Sequence, residues 1–217
     1  MAHLHLVNDI DYQVKSGTDI AHMMVVEIPA GTNEKWQTSA LTGSLYFEHV
    51  DGKPRIIQYL SYPFNYGFIP QTLHSKETGG DGDPIDVVLI GPALQRGSLH
   101  PVKILGAIKF LDDGEEDTKL IGVAVDGPFN DLNDIEDLLL KYYGALEIIR
   151  LWFEGYKGPG SLFFQGYARR KEALESIEHA HKDWKWETGR ANNPAAQSSP
   201  SAAELESNGK TKQQAQS

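Results

Sequence analysis

The chain has 217 residues, with 20 Lys and Arg against 30 Asp and Glu for a formal net charge of −10, and 40% of its residues are hydrophobic. That supports one large folded domain or two small ones, and with no cysteine it excludes disulfide-stapled as well as collagen-like and wholly disordered classes. The acidic balance also speaks against a nucleic-acid partner, whose phosphate backbone needs a basic surface.

Residues 1–17 hold Asn8, Asp9, Asp11 and Gln13 in place of the basic start and apolar block of a secretory signal, so the expectation is a cytoplasmic protein. The densest aliphatic run, residues 87–90, falls far short of the about 20 apolar residues that span a bilayer, which predicts no membrane partner. Between residues 22 and 126, short apolar runs punctuated by Gly and Pro (22–28, 44–48, 55–60, 85–90, 99–111 and 118–125) predict strands. Strands in succession imply an antiparallel or mixed sheet closed into a barrel, not a doubly wound βαβ domain.

After Asp126 the period changes: Ile135, Leu138, Leu139, Tyr142, Leu146, Ile149 and Phe153 recur at three and four residues behind a cap at Asn130 or Asp131. That predicts one long amphipathic helix, and Leu174, Ile177 and Trp184 predict a second over 168–185. Trp152, Phe153, Tyr142 and Tyr143 suit either a subunit interface or packing on the barrel. The pairs His3-Leu4-His5 and His179-Ala180-His181 lack a third ligand at sensible spacing and read as surface histidines. Residues 188–217 contain one Leu and no aromatic, too little to offset their ordering entropy. The prediction is an α+β domain over 1–187 and a disordered low-complexity tail over 188–217.

The most informative segment is Gly80-Asp81-Gly82-Asp83-Pro84-Ile85-Asp86, three carboxylates entering an apolar strand. Two charges about 5 Å apart at an effective dielectric of about 20 repel by roughly 3 kcal/mol. A hard cation such as Mg²⁺, Mn²⁺ or Ca²⁺ would relieve that. An EF-hand fails, because its sixth and twelfth positions would be Asp86 and Pro92. A polar turn is an equal reading until the second acidic run, Asp112-Asp113-Gly114-Glu115-Glu116-Asp117-Thr118-Lys119, is added. Two acidic inter-strand loops can converge on one mouth and hold several cations, which suits phosphoryl transfer. Lys35, Arg55, Lys119 and Lys157, with Tyr62, Tyr66 and Tyr156, could then hold phosphate oxygens.

The run Asp81-Gly82-Asp83-Pro84-Ile85-Asp86-Val87 has the form D-x-D-P-x-D-V. Val26-Glu27-Ile28-Pro29-Ala30, Tyr62-Pro63-Phe64-Asn65-Tyr66-Gly67-Phe68-Ile69-Pro70, Asp112 through Asp117-Thr118-Lys119 and Tyr156-Lys157 stand around it in order. Over residues 20–187 the sequence thereby resembles the soluble, family I inorganic pyrophosphatases. The resemblance implies a five-stranded OB-like β-barrel flanked by two C-terminal helices, and Mg²⁺-dependent hydrolysis of pyrophosphate to two orthophosphates, with Mn²⁺ able to substitute. It implies metal ligation by Asp81, Asp86, Asp112, Asp117 and Glu27, a general base at Asp83, and phosphate contacts from Lys35, Arg55, Tyr66, Lys119, Tyr156 and Lys157. A homo-oligomer follows from it too, a hexamer being favoured.

Two positions depart from the family pattern. Gln37 stands in Lys35-Trp36-Gln37 where a Glu is usual, which predicts a weakened site with a shifted pH optimum. Ungapped matching from Leu45 puts His49 at the arginine position, whereas an insertion over 49–54 gives that role to Arg55, whose planar guanidinium suits phosphate. The competing functional readings are a catalytically weakened metal- and phosphate-binding module and a hydrolase of another small phosphoanhydride.

Overall fold

The computed structural model describes residues 4–192 apart from Thr18, Gly79 and Tyr143. The chain opens with β1 (Gln13–Ser16) and β2 (Asp19–Ile28), then two short ribbons, β3 (Trp36–Thr38) with β4 (Leu45–Phe47) and β5 (His49–Val50) with β6 (Lys53–Pro54). There follow β7 (Asn65–Phe68), β8 (Asp86–Ile90), β9 (Leu99–Asp112), β10 (Glu115–Ala124), α1 (Ile135–Lys141), α2 (Ala145–Tyr156), β11 (Leu162–Arg169) and α3 (Arg170–Asn192).

Strands β2, β7, β8, β10 and β9 pair in that order, and β9 returns to β2, so five strands close on themselves. Only the β8–β10 pair among them is parallel. This is the five-stranded OB-like barrel that the resemblance implies. β1 and β11 extend the sheet beyond the closure. Alternate residues feed opposite faces: Val88 joins a cluster with Trp152 and Phe153 of α2, while Val87 and Leu89 join one with Ala173 and Ile177 of α3.

The single long helix expected after residue 130 is two helices, making three α-helices among the described residues where two were expected. Gly144 sits at φ +90, a left-handed conformation that glycine adopts at little cost, and it separates α1 from α2. The cap is Asp134, not Asn130 or Asp131: its carboxylate accepts from Glu136 N–H while Asp137 accepts from the Asp134 N–H. The second predicted helix starts later, at Arg170, because Ala168 belongs to β11, and it ends later, at Asn192. The rest of the expected tail, 193–217, lies outside the described residues.

Residues 55–60 form no strand, since Ile57 alone among them is buried and Tyr59 and Leu60 are exposed. Trp152 and Phe153 pack on the barrel, Tyr142 meets Phe129 edge-on, and Tyr143 lies outside the described residues. His181 is no surface group: it is buried, stacked 3.8 Å from Tyr12, with Nδ1 2.7 Å from the Gln71 carbonyl. His3 lies outside the described residues.

His22 on β2 is also buried, and burial, reinforced by Arg170 against an opposing pull from Glu178, pushes its pKa down to about 4. The folded state therefore favours the neutral imidazole. The associated stability, about 3 kcal/mol, is fully present above the unfolded histidine pKa near 6.5 and lost as pH falls towards about 4. Urea titrations of wild type and His22→Gln across that window should show a steeper loss in the wild type. Parallel curves would mean that His22 is not held neutral.

Candidate active site

The first acidic loop is held by its own backbone. Asp83 N–H donates to Asp81 Oδ1 at 2.9 Å, Gly82 N–H to the His74 carbonyl, and His74 N–H back to the Asp83 carbonyl, both at 2.8 Å. Burial, then the neighbouring charges of Asp81 and Asp86, push the Asp83 carboxyl up from its ordinary pKa. Asp86 begins β8, and Asp117 and Lys119 share one face of β10.

Lys119, only 5% exposed, reaches Asp86 Oδ2 and Asp117 Oδ1, each at 2.8 Å, and the Tyr66 hydroxyl at 3.1 Å. Burial alone would push the Asp86 carboxyl up. The Lys119 charge, hydrogen bonds from Lys119 and Tyr66, and the more distant Lys35 overcome that and hold it below the ordinary carboxylate range. On the facing side, Lys157, at the C-terminus of α2, pairs with Asp112 at the end of β9.

Glu27 is placed by an irregularity. The β2–β7 register runs Val26↔Gly67 then Ile28↔Tyr66, so Glu27 is an extra residue in a bulge, a device that re-aims a side chain. Its free carbonyl accepts from Arg96 Nε at 3.1 Å. Burial pushes the Glu27 carboxyl up to about 7, with Lys35 and Thr38 pulling the other way. Lys35 hangs 5.3 Å over the Tyr66 ring.

One cavity of about 520 Å³ gathers all of these groups. Twelve of the residues singled out by sequence line it: Asp81, Asp83, Asp86, Asp112, Asp117, Glu27, Lys35, Arg55, Tyr66, Lys119, Tyr156 and Lys157. Arg55 is in the cavity, paired with Glu48 at 2.8 Å, whereas His49 is exposed and bonded to its own strand through the Phe47 carbonyl. Tyr62 lies in the aromatic core instead.

The lining carries nine carboxylates against four cations. Asp112 Oδ1 is buried with no hydrogen-bond partner among the described residues. An all-oxygen donor set, surplus negative charge and an orphaned buried carboxylate oxygen fit hard divalent cations. Among the described residues, no three acidic or imidazole side chains converge into a ready ligand set. Lys119 supplies counter-charge to Asp86 and Asp117, and Lys157 to Asp112.

The family description for inorganic pyrophosphatase matches residues 24–185. The chain belongs to the inorganic pyrophosphatases. A human inorganic pyrophosphatase is 35% identical over 199 residues, covering 81% of this chain and 68% of the human one. The type I inorganic pyrophosphatase of Toxoplasma gondii superposes with a TM-score of 0.76 at 30% identity, over 83% of this chain and 87% of that one. An N-terminally truncated vacuolar soluble pyrophosphatase of Trypanosoma cruzi, solved in complex with PPi, gives a TM-score of 0.77 at 27% identity, over 82% and 76% of the two chains.

Within this pyrophosphatase fold the cavity also includes Gln37, Thr38, Tyr46, Asp113, Glu115 and Glu116. Of these, Thr38 and Tyr46 escaped sequence reasoning altogether. The signal that could have found Tyr46 is the turn over residues 40–42 ending at Gly43, which folds β4 back on β3 and sets Tyr46 opposite Gln37.

Proposed function

We propose that the chain hydrolyses inorganic pyrophosphate to two orthophosphates in the acidic cavity. The observation that carries this reading is the convergence on one cavity of twelve residues that the sequence singled out, six carboxylates facing four cations and two phenols. Asp81, Asp86, Asp112, Asp117 and Glu27 would hold the divalent cations of this metal-dependent family, with Mg²⁺ the proposed ion and Mn²⁺ a substitute. When bound, such ions screen the carboxylates, polarise phosphate oxygens and lower the pKa of water.

Arg55, Lys35, Tyr66 and Tyr156 then hold the non-bridging oxygens by charge-assisted and hydroxyl hydrogen bonds. Lys119 and Lys157 are free to join them once Asp86, Asp117 and Asp112 have another counter-charge. Asp83, already pushed towards protonation by burial and its neighbours, orients the attacking water and accepts its proton. The water oxygen bonds to one phosphorus as the bridging P–O bond breaks, and the departing phosphate leaves with its electron pair.

Orthophosphate release from pyrophosphate by the purified protein should be rapid with Mg²⁺, vanish with EDTA, and fall by about 100- to 10,000-fold in Asp83→Asn. A folded protein that releases nothing under any divalent cation would instead be a binding module. A cytoplasmic location and a homo-oligomer, a hexamer foremost, are proposed alongside. Against the first, mouse and yeast relatives are named mitochondrial. Exposed Leu140, Ile148 and Leu151 on α1 and α2 support the second. Among the described residues no helix is long and apolar enough to cross a membrane.

A further inference from the structure

The ribbon of β3 and β4 stands at the cavity rim with Gln37 directly opposite Tyr46 and Trp36 opposite Phe47. Side chains alternate faces along a strand. The ribbon therefore presents Gln37 and Tyr46 to the cavity, which both line, and turns away the stacked rings of Trp36 and Phe47, 5.2 Å apart. That back face is clamped. Arg96 lies 4.5 Å over the Trp36 ring and pairs with Glu34, which also accepts the Trp36 indole N–H at 3.0 Å.

On the front, the Tyr46 hydroxyl donates to Gln37 Oε1 at 2.9 Å. An amide whose oxygen is engaged has two N–H donors left to offer. Among the described residues, Nε2 of Gln37 has no hydrogen-bond partner. Partial burial and the carboxylates of Glu48, Asp83 and Glu27 keep the Tyr46 hydroxyl pKa above the ordinary phenol value, so it stays a donor. Lys35, two positions before Gln37, lines the same cavity.

We propose that Gln37, its amide oriented by Tyr46, donates to a non-bridging phosphate oxygen of the substrate, with Tyr46 as the positioning residue. The inference rests on the pyrophosphate reading above and adds to it an amide donor beside the charged groups and the phenols of Tyr66 and Tyr156. A carboxylate at position 37 would lose both N–H donors and set a like charge against the substrate.

Steady-state kinetics on Tyr46→Phe, Gln37→Leu, their combination and Gln37→Glu test this. Each single variant should raise the KM for pyrophosphate about 3- to 10-fold, by more than it lowers kcat. The double variant should be no worse than Gln37→Leu, because Tyr46 acts only through the amide. Gln37→Glu should raise KM further than Gln37→Leu. An unchanged KM in Tyr46→Phe, multiplicative effects in the double variant, or tighter pyrophosphate in Gln37→Glu would overturn the proposal.

Protection against thermal unfolding by inorganic phosphate alone, read in the same variants, separates this from the reaction. A wild type that hydrolyses nothing refutes the proposed reaction. If its phosphate protection still weakens in Tyr46→Phe and Gln37→Leu, the Gln37 contact stands. Equal protection of wild type and both variants refutes that contact whatever the activity.

Discussion

Lys119→Met is expected to destabilise the protein by about 3 kcal/mol at neutral pH, the low end for breaking a buried pair, because it leaves the half-buried Asp86 and Asp117 beside each other without their shared cation. Methionine fills a similar volume against the Phe153 and Tyr66 rings, which Lys119 overlies at 5.4 and 5.5 Å, so lost packing contributes little. The sign with pH follows from Asp86. In wild type its pKa is depressed, so its contribution is present above the unfolded aspartate value near 4 and lost as pH falls through the folded one. Without Lys119, burial dominates and raises that pKa, so the gap between variant and wild type should narrow as the medium is acidified towards about pH 4.

Mg²⁺ should stabilise the variant more than the wild type, since it replaces the missing positive charge. Activity should fall by at least about 100-fold, the usual cost of losing a charged group aimed at a transferring phosphate. Urea unfolding with and without Mg²⁺ at two pH values reads all of this. A stability change under about 1 kcal/mol would show that the two carboxylates do not depend on Lys119.

Trp152→Ala is expected to cost about 3–5 kcal/mol. The indole lies among Tyr62, Phe64, Phe153 and Tyr156, with ring centroids 4.2 to 5.4 Å away, and donates to the Leu60 carbonyl at 2.9 Å. Its removal opens a cavity and leaves that carbonyl without a donor. The consequence reaches the active site, because Tyr156 stacks on Trp152 with planes 7° apart and lines the cavity on its other side. kcat/KM should therefore fall about tenfold beyond any loss of folded protein, a typical cost for one displaced hydrogen-bonding group. Trp152→Phe should recover most of both losses. A Trp152→Ala protein with wild-type midpoint and kinetics would remove the indole from the explanation of either.

The acidic loops were legible because carboxylates crowded into six residues have few purely structural uses, and the turn-rich spacing of apolar runs made the barrel legible as a class. β7 was not. Asn65-Tyr66-Gly67-Phe68 shows no alternation and holds a polar residue, yet all four are buried. Asn65 tolerates this because Oδ1 accepts from Ala30 and Leu94 N–H, and Nδ2 donates to the Pro92 carbonyl. Gly67 is required by close approach, since a Cβ there would lie 1.8 Å from the Val25 carbonyl oxygen. The Glu27 bulge likewise has no signature in an unbroken run of apolar neighbours. The break at Gly144 stayed hidden because the apolar positions of α1 and α2 remain in phase across it. The sequence already favoured Arg55 over His49, and the insertion over 49–54 on which that choice rested is the short β5–β6 ribbon.

Barrel closure sets the order in which this protein can become an enzyme. β2 meets β9 with His22 opposite Val102, partners about 80 positions apart in the chain. Such distant pairings form only after a large loop entropy has been overcome, which places folding in the slow range of milliseconds to seconds. Glu27 arrives on one side of that seam and Asp112 on the other, so a half-built chain holds no complete cavity. Recovery of activity after denaturation therefore times the last pairing event, while recovery of helix reports an earlier one. Until the seam shuts, β2 and β9 present open edges to other chains, and crowded refolding at high concentration is where this protein is most exposed to aggregation.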